Sequence, residues 1–352
     1  GMTMNKAELV EAVKTGEVLS AVSLADGDFS GADLSGGIFE NVSSRGANLE
    51  GCLFKEAVFT ECDFDGAQLV ETNLRHATVN RSSFERANLQ RSYLGVAKFY
   101  QSNLMDADLS GCDGVISGFA ECNLTRANFS DMNLDRAAIV DSVVVGIQFM
   151  RANMKQTTLY KADLKEAQFA EARFENTLFI KAILRKMNFA GMNLTLSQFI
   201  DGDLEGASFE GAIVRQCNFM RANLADVNFE KAEGAQAVFV EAKLIRANLQ
   251  KSNFSQSLFV DAQAELANFS GANLAESIFH RAKCEAAKFV GSDLTYADFS
   301  HADVSAADFA NAKVFRTRFH RVTDKDTLWC SRLAALGDEA DVVESEDWNP
   351  PY

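Results

Sequence analysis

Four histidines, seven cysteines and 49 acidic side chains are the groups with which this 352-residue chain could do chemistry. His280 and His301 are 21 residues apart, and a metal would need more ligands than these two supply. Asp or Asn recurs so regularly along the chain that no pair of catalytic carboxylates stands out, and their recurrence fits turn residues that hydrogen-bond to backbone at corners. Gly-rich phosphate loops and nucleophile elbows are absent. The residues therefore name no catalytic, cofactor-binding or metal-binding group, and the chain reads as a non-enzyme.

What positions these residues is a period of five. From Leu19 to Phe319, every fifth position forms a series of 61 slots, and 56 of them hold Leu, Phe, Val, Ile or Met. The exceptions are Ser44, Gly114, Gly234, Ala264 and Cys284. Of 28 phenylalanines, 27 fall in this register and only Phe315 does not. Two residues before each centre is a small slot, as at Ala32, Ala47, Cys52, Ala57, Cys62 and Ala67. Asp or Asn often stands between the two, and the two positions after the centre are mostly polar or Gly.

A period of five fits neither a helix at 3.6 nor a strand at two. It fits a chain that turns a corner every five residues, with a large and a small side chain pointing inward on each side. Alternate centres differ. The series from 19 in steps of ten holds 22 Phe in 31 slots, and the series from 24 holds 5 in 30. Like stacks on like only if the number of sides is even, and four sides make a coil of twenty.

Blocks such as FSGADLSG (29–36), FERANLQRS (84–92), FSGANLAES (269–277) and DLTYADFSHADVSAADFANA (293–312) resemble the pentapeptide-repeat family over roughly residues 19–319. The resemblance implies an all-β solenoid, a right-handed quadrilateral β-helix. Sixty-one pentapeptides make about fifteen coils rising about 4.8 Å each, some 70 Å in all. Its interior should be a dry stack of Phe and Leu with no ligand cavity. Cys52, Cys62, Cys112, Cys122 and Cys217 occupy the small slot and Cys284 a centre, so they read as apolar filler. Cys52/Cys62 and Cys112/Cys122 face opposite sides of a coil, which excludes a shared metal. Cys330 is the one thiol expected to be accessible.

An open stack needs caps. Residues 1–18 read as a cap, with a helix over 5–14: Asn5 and Glu8 form a capping box, Ala7, Leu9, Val10 and Val13 an apolar face, and Gly16 the stop. Residues 320–352 form a C-terminal helix and acidic tail, the helix spanning 324–336 with Leu328, Trp329, Leu333 and Leu336 apolar. That helix reads as a cap; the sharper reading is a homodimer contact, as in the quinolone-resistance members of the family.

Net charge is −15, which argues against direct nucleic-acid binding and against an anionic membrane surface. The N-terminal residues lack a signal peptide's apolar core and no run approaches a membrane span, so the expected location is cytoplasmic. Charge is uneven: residues 19–74 hold Asp26, Asp28, Asp33, Glu40, Glu50, Glu56, Glu61, Asp63, Asp65 and Glu71 against Arg45 and Lys55. These ten acids are a candidate docking patch for a basic partner. The quinolone-resistance relatives are thought to mimic duplex DNA on gyrase. Residues 19–319 hold 38 acids and 29 bases, a net of −9, where a duplex of that length carries about 40 negative charges. The loops that interrupt the repeat in those relatives, and the long loops that build a cleft in polysaccharide-cleaving β-helices, do not occur here. The expected function is a binding or scaffold role toward an unidentified protein partner. Alternatives are a DNA-mimic regulator of a topoisomerase or other DNA-binding protein, and an accessory or effector protein of a bacterial secretion system.

Overall fold

The computed structural model describes residues 2–334. The chain is a parallel β-solenoid in two compact units, one ending at Leu178 and the other starting at Phe179. In each, a residue pairs with the residue twenty positions on, so a coil is four sides of five residues. We number the sides by their centres: side 1 from Leu19, side 2 from Leu24, side 3 from Phe29, side 4 from Leu34, and every twentieth residue thereafter.

The burial pattern repeats with the period of five. Centres such as Phe84, Leu104 and Phe209 are fully buried, and small-slot residues such as Ala107 and Ala222 lie within 1% of full burial. Between them the chain turns. Ala207 donates its amide to Leu204 O at 2.9 Å, with Gly206 in the left-handed region at φ +70°. That is a type II turn, whose third position needs positive φ. The same position is left-handed at nearly every corner, in most cases at a residue other than glycine, including the β-branched Val96 and Ile116, both at φ 59°. Such residues cost about 1 kcal/mol or more each. They are held because the backbone is tied both to the next coil and within the turn: Ile116 donates to Asp135 O at 3.0 Å, and Ser117 closes the turn on Gly114 O at 3.0 Å.

In unit 1 the corner after side 1 is built differently. The amides of Cys62, Ser82 and Cys122 donate to the hydroxyls of Ser82, Ser102 and Ser142 one coil on, at 3.0–3.1 Å. The corner residue is still left-handed, as at Glu61 (φ 53°) and Arg81 (φ 45°), but the chain before it is regular, and side 1 forms a ladder of eight strands: β2 (Val18–Ser20), β4 (Ile38–Glu40), β5 (Val58–Thr60), β6 (Thr78–Asn80), β7 (Lys98–Tyr100), β8 (Gly118–Ala120), β9 (Ala138–Val140) and β10 (Thr158–Tyr160). In unit 2 the equivalent amides close type II turns, as in Gly202 to Phe199 O and Ala222 to Phe219 O, both 3.0 Å, and pairing persists only as isolated bridges. Regular strands are thus confined to eight turns, fewer than the about fifteen regular coils expected, and the coils of unit 2 persist through isolated bridges.

At the N-terminus, α1 (Lys6–Lys14) has the expected capping box, Asn5 with Glu8, and ends at Thr15 before Gly16. Its buried face is Leu9 and Ala12; Ala7, expected on it, is exposed. Ahead of it, β1 (Met2–Thr3) pairs with β3 (Val22–Ser23) and covers the first coil, a strand the repeat pattern does not announce. At the C-terminus the coil register runs ten residues past Phe319. Leu328 pairs with Asp308, and Trp329 takes a centre, stacked on Phe309 at 5.1 Å and edge-on to Phe319 at 4.9 Å. Of the helix expected over 324–336, residues 324–330 continue the coil, and among the described residues only α2 (Ser331–Ala334) is helical.

The thinned centres have a physical reason. A Cβ on Gly234 would lie 2.1 Å from the Phe254 ring, and one on Gly114 would lie 2.5 Å from Met132 Cε. A large side chain one coil on leans into each vacated place. At Ser44 the space is not taken up: a cavity of about 10 Å³, room for one water at most, lies among Leu24, Phe39, Ser44 and Phe64.

Candidate functional site

Each coil carries its polar side chains on the residues flanking the centre and on the left-handed corner. The ten acids of the candidate patch follow these positions and so go to all four sides. Glu40 is on side 1, Asp63 and Asp65 on side 2, Asp28 and Glu50 on side 3 and Asp33 on side 4, while Asp26, Glu56, Glu61 and Glu71 stand at corners. The structure joins four of them to bases. Asp63 and Asp65 meet Arg45 at 3.3 and 3.7 Å, Glu61 meets Arg81 and Glu71 meets Arg91, each at 3.3 Å. The other six, all before Glu61, make no salt bridge among the described residues. Asp28 and Asp33 instead accept the amides of Ser30 and Ser35 at 3.1 Å, and the Ser30 amide holds the Asp28 carboxyl below its usual range. The ten acids thus form a collar around the first coils rather than a patch on one face. A groove of about 320 Å³ opens in this region where Gly46 and Gly66 leave one corner bare, between Asp26 and Arg86 and above Arg45 and Asp65.

The candidate C-terminal contact is also redistributed. Trp329 and Leu333 are buried, Leu328 points outward at 60% exposure, and Leu336 lies outside the described residues. Only Leu328 of the described three offers apolar surface to another molecule. Cys330, expected to be accessible, is buried. The other six cysteines are buried in the expected slots. Burial pushes the thiols of Cys52, Cys62 and Cys122 up to about 11 and that of Cys112 to about 12, which leaves them protonated and unreactive at neutral pH.

His280 and His301 do not pair with each other. His280 Nε2 lies 2.7 Å from Asp298 Oδ2, and His301 stands edge-on to His320 at 5.4 Å. Among the described residues no group of three or more His, Cys, Asp or Glu could hold a metal ion. Nor is any helix among them long and apolar enough to cross a membrane.

One titrating pair escapes sequence reading. On side 2, where Ala264 and Cys284 thin the core, Glu285 shares a hydrogen bond with Asp303. That bond, with burial and the charges of Asp303 and Glu265, raises the Glu285 carboxyl from 4.5 to about 7. Asp303 is pushed up by burial, but the hydrogen bonds from Glu285 and from the Ser305 hydroxyl and amide together outweigh this and lower it. The proton sits on Glu285. Between pH 4.5 and about 7 the folded chain therefore holds a proton that the unfolded chain has lost, so stability falls as pH rises through this window. Glu285→Gln supplies a donor that does not titrate. Thermal melts from pH 5 to about 8.5 are expected to show a shallower decline for this variant and a higher melting temperature than wild type at the alkaline end. Equal slopes in both proteins would refute the shared proton.

Polar corners otherwise form ladders of opposite charge. Asp106–Arg126 and Asp131–Arg151 in unit 1, and Asp201–Arg221, Asp226–Arg246 and Asp261–Arg281 in unit 2, join residues one coil apart at 2.8–2.9 Å. Exposed pairs of this kind contribute a few tenths of a kcal/mol each, about 0.2–1. They also cancel the charge of most corners along which they run.

Two family models match the chain. Pentapeptide repeats (8 copies) match residues 45–81, 82–113, 147–185, 172–211 and 282–321, and a pentapeptide repeat region matches 212–289. No curated protein matches in sequence. Among solved structures, HetL, a pentapeptide repeat protein involved in heterocyst differentiation regulation from the cyanobacterium Nostoc sp. strain PCC 7120, is 20% identical over 81% of this chain and 96% of its own, with a TM-score of 0.29. QnrB1, a plasmid-mediated fluoroquinolone resistance protein, is 18% identical over 51% of this chain and 82% of its own, TM-score 0.25. A pentapeptide repeat protein from the Arabidopsis thaliana thylakoid lumen is 26% identical over 30% of this chain and 66% of its own, TM-score 0.17. With its five-residue register, its twenty-residue coils and these matches over more than half its length, the chain belongs to the pentapeptide repeat family.

Proposed function

We propose that this protein is a non-enzymatic binding module that receives a basic protein partner on the acidic collar of its first coils. The observation that carries this is the set of six carboxylates, Asp26, Asp28, Asp33, Glu40, Glu50 and Glu56, that make no salt bridge among the described residues, with Lys6 acting only at longer range on Asp28. Residues 19–44 contain no Lys or Arg at all. Because these acids encircle the coils, a partner that grips this segment from around or from its end gains more of them than one that lies along a side. The corner pairs of alternating sign weigh against mimicry of a uniformly charged duplex.

The test is affinity capture from native cell extract with wild type and with a variant carrying all six acids as Asn or Gln. A partner held by the collar is expected to be lost from the variant and released from wild type between about 0.1 and 0.5 M salt, as screening shortens the reach of exposed charge. Recovery of the same proteins by both baits at both salt levels would overturn the reading.

A further inference from the structure

Most outward rows of unit 2 are polar, but side 1 is not. Its residues just after the centre run Ile200, Met220, Val240, Val260, one per coil, and Leu258 and Ile278 stand beside them in the row before the centre. All are half-buried by their neighbours in the ladder and present one edge outward. From Ile180 to Ile278 neither outward row of this side holds an Asp, Glu, Lys or Arg. On side 2 the same stretch brings Arg185, Asp203, Glu205, Lys243 and Glu265 outward. The corner along side 1 is charged but balanced. Asp201 pairs with Arg221 and Asp261 with Arg281, and Lys181 offsets Glu241. On a protein of net charge −15, this is a face with an apolar floor and one balanced corner; its other corner holds Gln216, Gln236, Gln256 and a single acid, Glu276.

We infer that side 1 of unit 2 is a self-association surface on which a second copy of this chain docks face to face. Three physical points select that occupant. Two identical chains of net charge −15 repel, and they approach most easily where the facing surfaces carry little net charge. The face is corrugated by rows about 4.8 Å apart, and a second copy brings the same corrugation, so ridges fit grooves as in sheet-on-sheet packing. A helix laid along the row of side chains, about 10 Å across, would leave part of the roughly 16 Å width of the face uncovered, whereas a second copy spans it. The face measures about 24 Å along the coils by about 16 Å across, roughly 400 Å² on each copy. That area, well below about 1,200 Å² in total, belongs to weak, reversible association.

Sedimentation equilibrium of the full chain from about 10 μM to about 1 mM tests this. The expected result is a monomer–dimer equilibrium that tightens when sodium sulfate is added, since sulfate strengthens apolar burial. Val240→Lys and Met220→Lys should each raise the dissociation constant at least about tenfold, because each face would then carry an unpaired charge. Val290→Lys, the same change in a half-buried residue of side 3, should leave it unchanged. Should a lysine variant lose the coil by far-UV circular dichroism, Met220→Gln removes the apolar surface without adding charge and is expected to weaken the dimer alone. A monomer throughout, or a dimer that persists in both Val240→Lys and Met220→Lys, overturns the inference. A dimer that instead disappears on Leu328→Glu overturns it equally and assigns the contact to the C-terminal end. The collar proposal concerns unit 1 and a salt-sensitive partner, so its failure and the failure of this surface read differently.

Discussion

Phe279→Ala is expected to lower stability by about 3–5 kcal/mol, at the upper end for a buried aromatic. The ring is fully buried. It stacks on Phe259 at 4.4 Å and on Phe299 at 4.6 Å, and stands edge-on to Phe269 and Phe289 at 5.7 Å. Removing it takes away the transfer free energy of the side chain and leaves a cavity walled by four rings. How much such a site collapses decides the cost. Here collapse is resisted, because the coil spacing is set by backbone bonds such as Asp261 to His280 O at 2.9 Å and Phe279 to Asp298 O at 2.7 Å. Urea titration followed by far-UV circular dichroism measures the loss. Since repeat arrays need not unfold in one step, it should appear in the transition of unit 2. A loss below about 2 kcal/mol would mean that the Phe ladder is loosely packed.

Gly234→Ala is the second large effect, and it runs opposite to the usual preference for Ala over Gly. The added methyl would sit 2.1 and 2.5 Å from two atoms of the Phe254 ring. That ring is fully buried, edge-on to Phe229 and Phe239, both at 5.4 Å, and has nowhere to go. Overpacking of this kind costs about 1–3 kcal/mol, and we expect the upper value. Gly114→Ala should cost less than about 1 kcal/mol, since the methyl meets the flexible end of Met132. A double-mutant cycle checks the cause. Phe254→Leu should be less costly in the Gly234→Ala background than in wild type, with a coupling of about 1 kcal/mol or more. Additive losses would show that the glycine serves the backbone and not the neighbouring ring.

Much of this fold is legible in the sequence because its rules are local. A corner every five residues leaves the same large and small inward slots each time, and the difference between Phe-rich and Leu-rich series fixes the parity of the sides. The capping box at Asn5 and Glu8 and the burial of six cysteines follow from the same reading. What escaped was of two kinds. Some features depend on contacts one coil away: Phe254 filling the place of Gly234, Trp329 closing the Phe309 ladder, and serine hydroxyls replacing turn bonds at Cys62 and Ser82. Asp324 in a centre position hides the last of these coils from the pattern. Other features repeat every twenty residues and vanish when positions are averaged every five. The outward aliphatic row at Ile200 and Val240 is one. The scatter of ten acids over four sides is another, for neighbours in sequence go to different sides and neighbours in space are a full coil apart.

The uniform pairing of each residue with its twentieth successor also governs how such a gene can change in length. Loss or gain of one whole coil leaves every face with its own residues. Loss or gain of a single five-residue unit turns all that follows by a quarter, so that phenylalanine rings come to rest over leucines, the aliphatic row is handed to a charged neighbour, and opposed corner charges part company. Changes of length that preserve the faces are thus quantised in twenties, and any other number of pentapeptides keeps the motif perfect while scrambling the molecule.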